Sequence, residues 1–120
     1  MTVFACLACA APLTAEVRRA KPARDAGQRD RRGIAKPVMV RGTFMTVEAP
    51  DRFVLHPDDL PGTAPHPDED RLNGCCRLDG LDGPNLVCAA CGAEVGTRES
   101  DCWTRNQVLL DASAVRGPSG

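Results

Sequence analysis

At 120 residues, with 3% aromatic side chains, one Trp and no Tyr, the chain has the length of one domain but few of the large apolar groups that fill a core. The formal net charge of −1 is uninformative, but its distribution along the chain is not. No apolar run approaches the roughly 18 residues of a membrane-spanning helix.

The N-terminus has no basic leader ahead of an apolar stretch, so no signal peptide is expected and the expected compartment is the cytoplasm. Thr2-Val3-Phe4-Ala5 reads as a short strand. Leu13-Thr14-Ala15-Glu16-Val17-Arg18 alternates apolar and polar residues, the period of a half-buried strand. Cys6-Leu7-Ala8-Cys9 lies between them, so this region reads as a hairpin with a cysteine turn. Residues 16–41 then hold nine Arg or Lys against three acids, while residues 42–120 hold six against thirteen. Within this basic part, 19–36 has no hydrophobic face and is broken by Pro22, Gly27 and Gly33. It is expected to be a flexible exposed loop. Arg29, Arg31 and Arg32 are its densest positive charge and a candidate nucleic-acid contact, although no aromatic residue is interleaved for base stacking.

Order is expected again in 36–40. Thr43-Phe44-Met45-Thr46-Val47-Glu48 reads as a strand, and Arg52-Phe53-Val54-Leu55 as a short apolar run. From Pro57 to Asn73 the chain is dense in Pro, Asp and Gly and predicts a long loop with little structure. His56 and His66 each precede a Pro and read as loop residues rather than ligands. Asp79-Gly80 and Asp82-Gly83-Pro84 are turn pairs. Leu86-Val87 leads into a second cysteine pair, Ala93-Glu94-Val95-Gly96-Thr97 leads out as a strand, and Gln107-Val108-Leu109-Leu110 is a last strand or short helix. Residues 1–116 are expected to form a single zinc-binding β domain, with 117–120 a disordered tail.

Seven cysteines offer the staple that a thin core needs. Cys6-Leu7-Ala8-Cys9 and Cys88-Ala89-Ala90-Cys91-Gly92 are two Cys-x-x-Cys pairs, together the four ligands of a closed tetrahedral site. Gly92 suits the positive φ that lets a knuckle aim backbone N–H groups at its sulfurs. Four thiolates favour zinc by softness, with iron the competing metal, and leave no open coordination position. One structural Zn²⁺ is therefore expected.

Cys75, Cys76 and Cys102 remain. Cys102 follows the second knuckle, with Arg98 and Arg105 near in sequence, which makes it a candidate nucleophile with Cys76 or Cys75 resolving. The alternative is that Cys102 is a small buried side chain and Trp103 a core anchor.

The layout of Cys6, Cys9, Cys88 and Cys91 resembles the β-tent group, which includes Yippee proteins, the thalidomide-binding domain of cereblon and zinc-bearing methionine sulfoxide reductases. It is also akin to zinc ribbons. The resemblance implies two small antiparallel sheets joined by paired zinc knuckles. Only the four cysteines carry over: the aromatic cage of the cereblon type has no match, and Cys102-Trp103-Thr104-Arg105-Asn106 only loosely echoes the reductase nucleophile. The Val3 to Cys9 opening, the 78–85 run and Asp101-Cys102 also look like a set of small actinobacterial zinc-knuckle proteins, a resemblance that implies the zinc fold and no substrate.

The sequence thus predicts a mainly β fold with long loops, and a non-enzymatic binding or accessory module for a protein or small ligand. Its expected working face is Asp79, Asp82, Asn85 and Trp103. A thiol redox enzyme using Cys102, and nucleic-acid binding through 19–36, are the alternatives.

Overall fold

The computed structural model describes residues 1–48 and 51–118. The fold is mainly β. The described strands are β1 (Ala5–Cys6), β2 (Arg18–Arg19), β3 (Thr43–Val47), β4 (Arg52–Leu55), β5 (Thr63–Pro65), β6 (Leu86–Cys88), β7 (Glu94–Glu99), β8 (Gln107–Asp111) and β9 (Val115–Arg116). One 3₁₀ turn spans Glu69–Arg71. Of the tail expected at 117–120, residues 119–120 lie outside the described residues, as do residues 49–50.

There are two sheets, joined differently from a pair of equal hairpins. β1 and β9 form a two-stranded sheet, and the other strands form a seven-stranded sheet in the order β2-β3-β4-β8-β7-β6-β5. Every strand pair is antiparallel except β2–β3, which is parallel. The parallel pair exists because the basic 19–36 segment is a crossover, long enough to return the chain in the same direction.

The central pair explains the core. β4 and β8 align Phe53 with Leu110, Val54 with Leu109 and Leu55 with Val108. Side chains alternate across a strand, so Leu55, Val108 and Leu110 bury on one face while Val54 and Leu109 bury on the other. The first face is covered by the N-terminal segment through Phe4, Leu13 and Val17. The second is covered by Val38 and Met39. The few aromatics are concentrated rather than spread: Phe4 lies edge-on to Phe44 at 5.1 Å between centroids and 4.8 Å from Phe53. Each buried residue of this size contributes on the order of 2 kcal/mol.

One open choice is decided and two local expectations change. Residues 107–111 are a strand, not a helix, because they complete the centre of the sheet. The alternating 13–18 stretch yields only β2; Leu13 N–H instead donates to the Phe4 carbonyl and Thr2 pairs with Val17 across the cysteine turn. The segment 57–73, expected to be nearly structureless, contains β5 and the 3₁₀ turn. β5 is the outermost strand, and an edge position tolerates Pro65 because no neighbour needs its missing N–H.

Candidate metal centre

Cys6 ends β1 and Cys9 follows in the turn; Cys88 ends β6 and Cys91 follows in the turn toward β7. The two turns are built alike. Cys6 N–H donates to the Ala11 carbonyl and Ala10 N–H to the Cys6 carbonyl; Cys88 N–H donates to the Ala93 carbonyl and Gly92 N–H to the Cys88 carbonyl. The residue after the second cysteine is left-handed in both, with φ 65° at Ala10 and 80° at Gly92. Among the described residues Ala10 is the one non-glycine residue with positive φ.

Gly62 joins the knuckles. Its N–H donates to the Leu13 carbonyl and its carbonyl accepts from Ala89 N–H. A Cβ there would stand 2.1 Å from the Pro12 carbonyl oxygen and 2.7 Å from Leu13 Cα. Only glycine allows the two turns to approach this closely.

The result is a group of four sulfurs, all within 4.8 Å of one another. Cys6 Sγ lies 3.7 Å from Cys91 Sγ, and Cys9 Sγ 3.7 Å from Cys88 Sγ. A tetrahedral zinc with Zn–S bonds of about 2.3 Å requires sulfur–sulfur edges of about 3.8 Å. Cys6 and Cys88 are buried in the main core, while Cys9 and Cys91 face outward. The chemistry of the set is that of cation ligands. Cys88 is brought down to about 7: burial opposes its ionisation, but the N–H groups of Cys91 and Ala90 and the neighbouring thiols stabilise its thiolate. Cys9 is pushed up to about 12; the Ala11 N–H favours its thiolate, but burial and the Cys91, Cys88 and Cys6 sulfurs outweigh it. Four sulfurs this close ionise together only around a cation.

Cys75, Cys76 and Cys102 form a second group, again with all sulfurs within 4.8 Å. The sequence suggested Cys76 or Cys75 as a resolving partner for Cys102, but no spacing motif pointed to all three sulfurs in one group. Asp101 brings them together. Its carboxylate, 1% exposed, accepts from Cys75 N–H at 2.7 Å, Cys76 N–H at 2.8 Å, Arg77 N–H at 3.2 Å and Cys102 N–H at 2.7 Å. Burial opposes the charge, but these four donors hold the carboxyl well below the usual range. Cys102 is pushed up to about 12 by the Cys76 thiol, by burial and by Asp101. The cationic activation that Arg98 and Arg105 suggested in sequence is thereby outweighed.

The four residues expected on a working face do not come together. Asn85 is fully buried; its Nδ2 donates to the Arg98 carbonyl and its Oδ1 accepts from Arg98 N–H, extending the β6–β7 pairing past a bulge at Leu86/Val87. Asp79 accepts from Leu81 N–H and Asp82 from Asn73 Nδ2, both as turn supports. Asp79 and Trp103 do line one cleft of about 480 Å³, with Leu81 beside them. Trp103 is 53% exposed and so is no core anchor.

Neither histidine belongs to a cysteine group. His66 Nδ1 accepts from Asp68 N–H, which leaves Nε2 to donate to Glu94 at 2.9 Å. His56 Nδ1 accepts from Asp58 N–H, and burial lowers the pKa of its ring. In the basic segment Arg29 is committed to structure, donating to the carbonyls of Gly33, Cys102 and Thr104.

No protein-family model, curated protein or solved structure matches this chain. The functional reading therefore rests on the two cysteine groups, either of which could hold a metal ion. No helix among the described residues is long and apolar enough to cross a membrane.

Proposed function

We propose that the chain is a small zinc-stapled β module. One zinc on Cys6, Cys9, Cys88 and Cys91 is structural, and the module serves as a binding or accessory unit rather than an enzyme. The observation that carries this reading is the pair of 3.7 Å sulfur–sulfur distances, which match the edge of a zinc tetrahedron. Two turns with the same backbone hydrogen bonds support it further, because each presents its two sulfurs to the same point. Four thiolates close the coordination shell, so no position is left for water or substrate. Zinc is preferred to iron because soft thiolates suit it and it binds with no redox cost.

We assign the binding face to the cleft beside Asp79 and Trp103. Its support is the exposure of Trp103 and Leu81, 53% and 71%, at one depression in the surface. Large apolar groups left to solvent together are characteristic of contact surfaces for a protein or small ligand.

Metal analysis of the purified, exhaustively dialysed protein tests the central claim. The expected result is about one zinc per chain, lost in the Cys9→Ser variant. A metal-free protein with the same circular dichroism sinks the reading, and so does iron as the bound metal.

A further inference from the structure

We propose that Cys75, Cys76 and Cys102 form a second, separate site: a three-thiol site for a thiophilic ion that prefers three sulfur ligands, of which trivalent arsenic is the type.

Geometry carries the inference. Three sulfurs from two distant segments lie within 4.8 Å of one another. Two of the cysteines are exposed and the third is half-buried, so an ion can reach them from solvent. Cys76 also lines an open cleft of about 510 Å³, which gives the site an approach. Neighbouring residues in an extended chain point to opposite sides, but the bend at 75–77 turns Cys75 and Cys76 toward Cys102 together. Asp101 fixes that bend by taking all four N–H groups of Cys75, Cys76, Arg77 and Cys102. Arg29 pins the other side by donating to the Cys102 carbonyl at 2.9 Å. The thiols are thus held together before any ligand arrives, which lowers the cost of binding.

The same surroundings select the ligand. Among the described residues no histidine or further carboxylate joins the three sulfurs. Asp101 cannot serve as a fourth ligand, because four N–H donors already occupy its oxygens. The site therefore offers three soft donors and stops, unlike the four-cysteine centre. It also sits on a buried carboxylate. Three thiolates around a divalent ion would add negative charge beside Asp101, a repulsion that a partly buried site screens poorly. Arsenious acid avoids that. As(OH)₃ and three thiols condense to a neutral As(S–Cys)₃ and three waters: three As–O bonds break, three As–S bonds form, and each thiol proton leaves on a hydroxide. No electron is transferred and no net charge is added.

The test uses the full zinc-loaded chain, kept reduced with a phosphine, and sodium arsenite as the probe. Native mass spectrometry should show one arsenic added with three protons lost while the zinc is retained. Alkylation mapping of the unaltered protein should show arsenite protecting Cys75, Cys76 and Cys102. The variants Cys75→Ser, Cys76→Ser and Cys102→Ser should each weaken arsenite binding by roughly a hundredfold or more, since the third sulfur acts intramolecularly. Retention of zinc in each variant reports an intact fold. Release of zinc by arsenite would assign binding to the four-cysteine centre and overturn the proposal. An adduct needing only two of the three thiols, or no adduct, overturns it as well. A zinc-free preparation that still binds one arsenic at these three cysteines would sink the zinc reading and leave this one standing.

Discussion

Cys9 Sγ and Cys88 Sγ lie 3.7 Å apart although 79 positions separate them in the chain. The contact ties the N-terminal turn to the far side of the large sheet. It adds to the packing of Phe4, Leu13 and Val17 on that sheet and to the Gly62–Leu13 hydrogen bond, because β1 itself has only two residues and pairs with a two-residue β9. Structural zinc binding is worth on the order of 10 kcal/mol in small domains, as much as a typical domain's whole stability. Chelation should therefore unfold the N-terminal segment or the entire chain. Circular dichroism before and after a strong chelator checks this, and an unchanged spectrum at zero bound zinc counts against it.

Ala10 and Gly92 hold equivalent positions in the two knuckles, and they make a matched pair of tests. A left-handed alanine is strained by roughly 1–2 kcal/mol relative to glycine. The space a Cβ would take at Gly92 is empty, so Gly92→Ala should cost this strain less the roughly 0.4–1 kcal/mol by which alanine stiffens the unfolded chain, a net loss of up to about 1.6 kcal/mol. Ala10→Gly relieves the strain but loosens the unfolded chain by about 0.4–1 kcal/mol, leaving a net gain of up to about 1.6 kcal/mol. Zinc competition titrations should show opposite signs for the two variants. The same sign in both would mean that the knuckles are not equivalent.

Gly62 predicts a different kind of loss. Here the obstacle is backbone, not φ: a Cβ would meet the Pro12 carbonyl and Leu13 Cα well inside contact distance. Neither can move without separating the knuckles. Gly62→Ala should destabilise by about 3 kcal/mol or more, beyond usual overpacking in side-chain cores, and should weaken zinc binding with it. A denaturant midpoint near that of the unaltered chain would show that the seam can shift.

Asp101 makes stability depend on acid. Its folded pKa lies below the ordinary carboxylate value, so its stabilisation is complete above the unfolded pKa of about 3.9 and is lost as pH falls through the folded value. Asp101→Asn should lower the unfolding midpoint at neutral pH, because the amide turns an NH₂ toward backbone donors. The gap between the variant and the parent should narrow below about pH 4. Acid release of zinc would unfold both proteins, so the comparison is made only at pH values where both retain the metal. A gap that is constant from pH 7 to pH 3 would remove the charge from the explanation.

The stretches 43–48 and 93–97 read as strands and overlap β3 and β7, while 52–55 read only as a short apolar run and is β4. Local alternation was not sufficient: 13–18 alternates as well, yet only its last residue enters β2. The 57–73 stretch misled because edge strands need no apolar alternation and admit Pro65. Asn85, expected on the working face, is buried because it exchanges two hydrogen bonds with Arg98, a contact across thirteen positions that local pattern does not show.

The sequence by itself determined the mainly β class and the two Cys-x-x-Cys turns. Both are local: strand alternation and a five-residue turn are written in neighbouring residues. The sequence pointed to one site for the two turns and to a partner for Cys102; tertiary structure decided how the turns meet, with four sulfurs inside 4.8 Å, and that all three of Cys75, Cys76 and Cys102 gather in one group. The first meeting depends on a glycine, Gly62, that is near neither cysteine pair in sequence. The second depends on one buried carboxylate, Asp101, collecting four backbone N–H groups from two segments. Such long-range closures are set by which backbone groups can satisfy one another once the chain has folded, and no spacing along the chain encodes them.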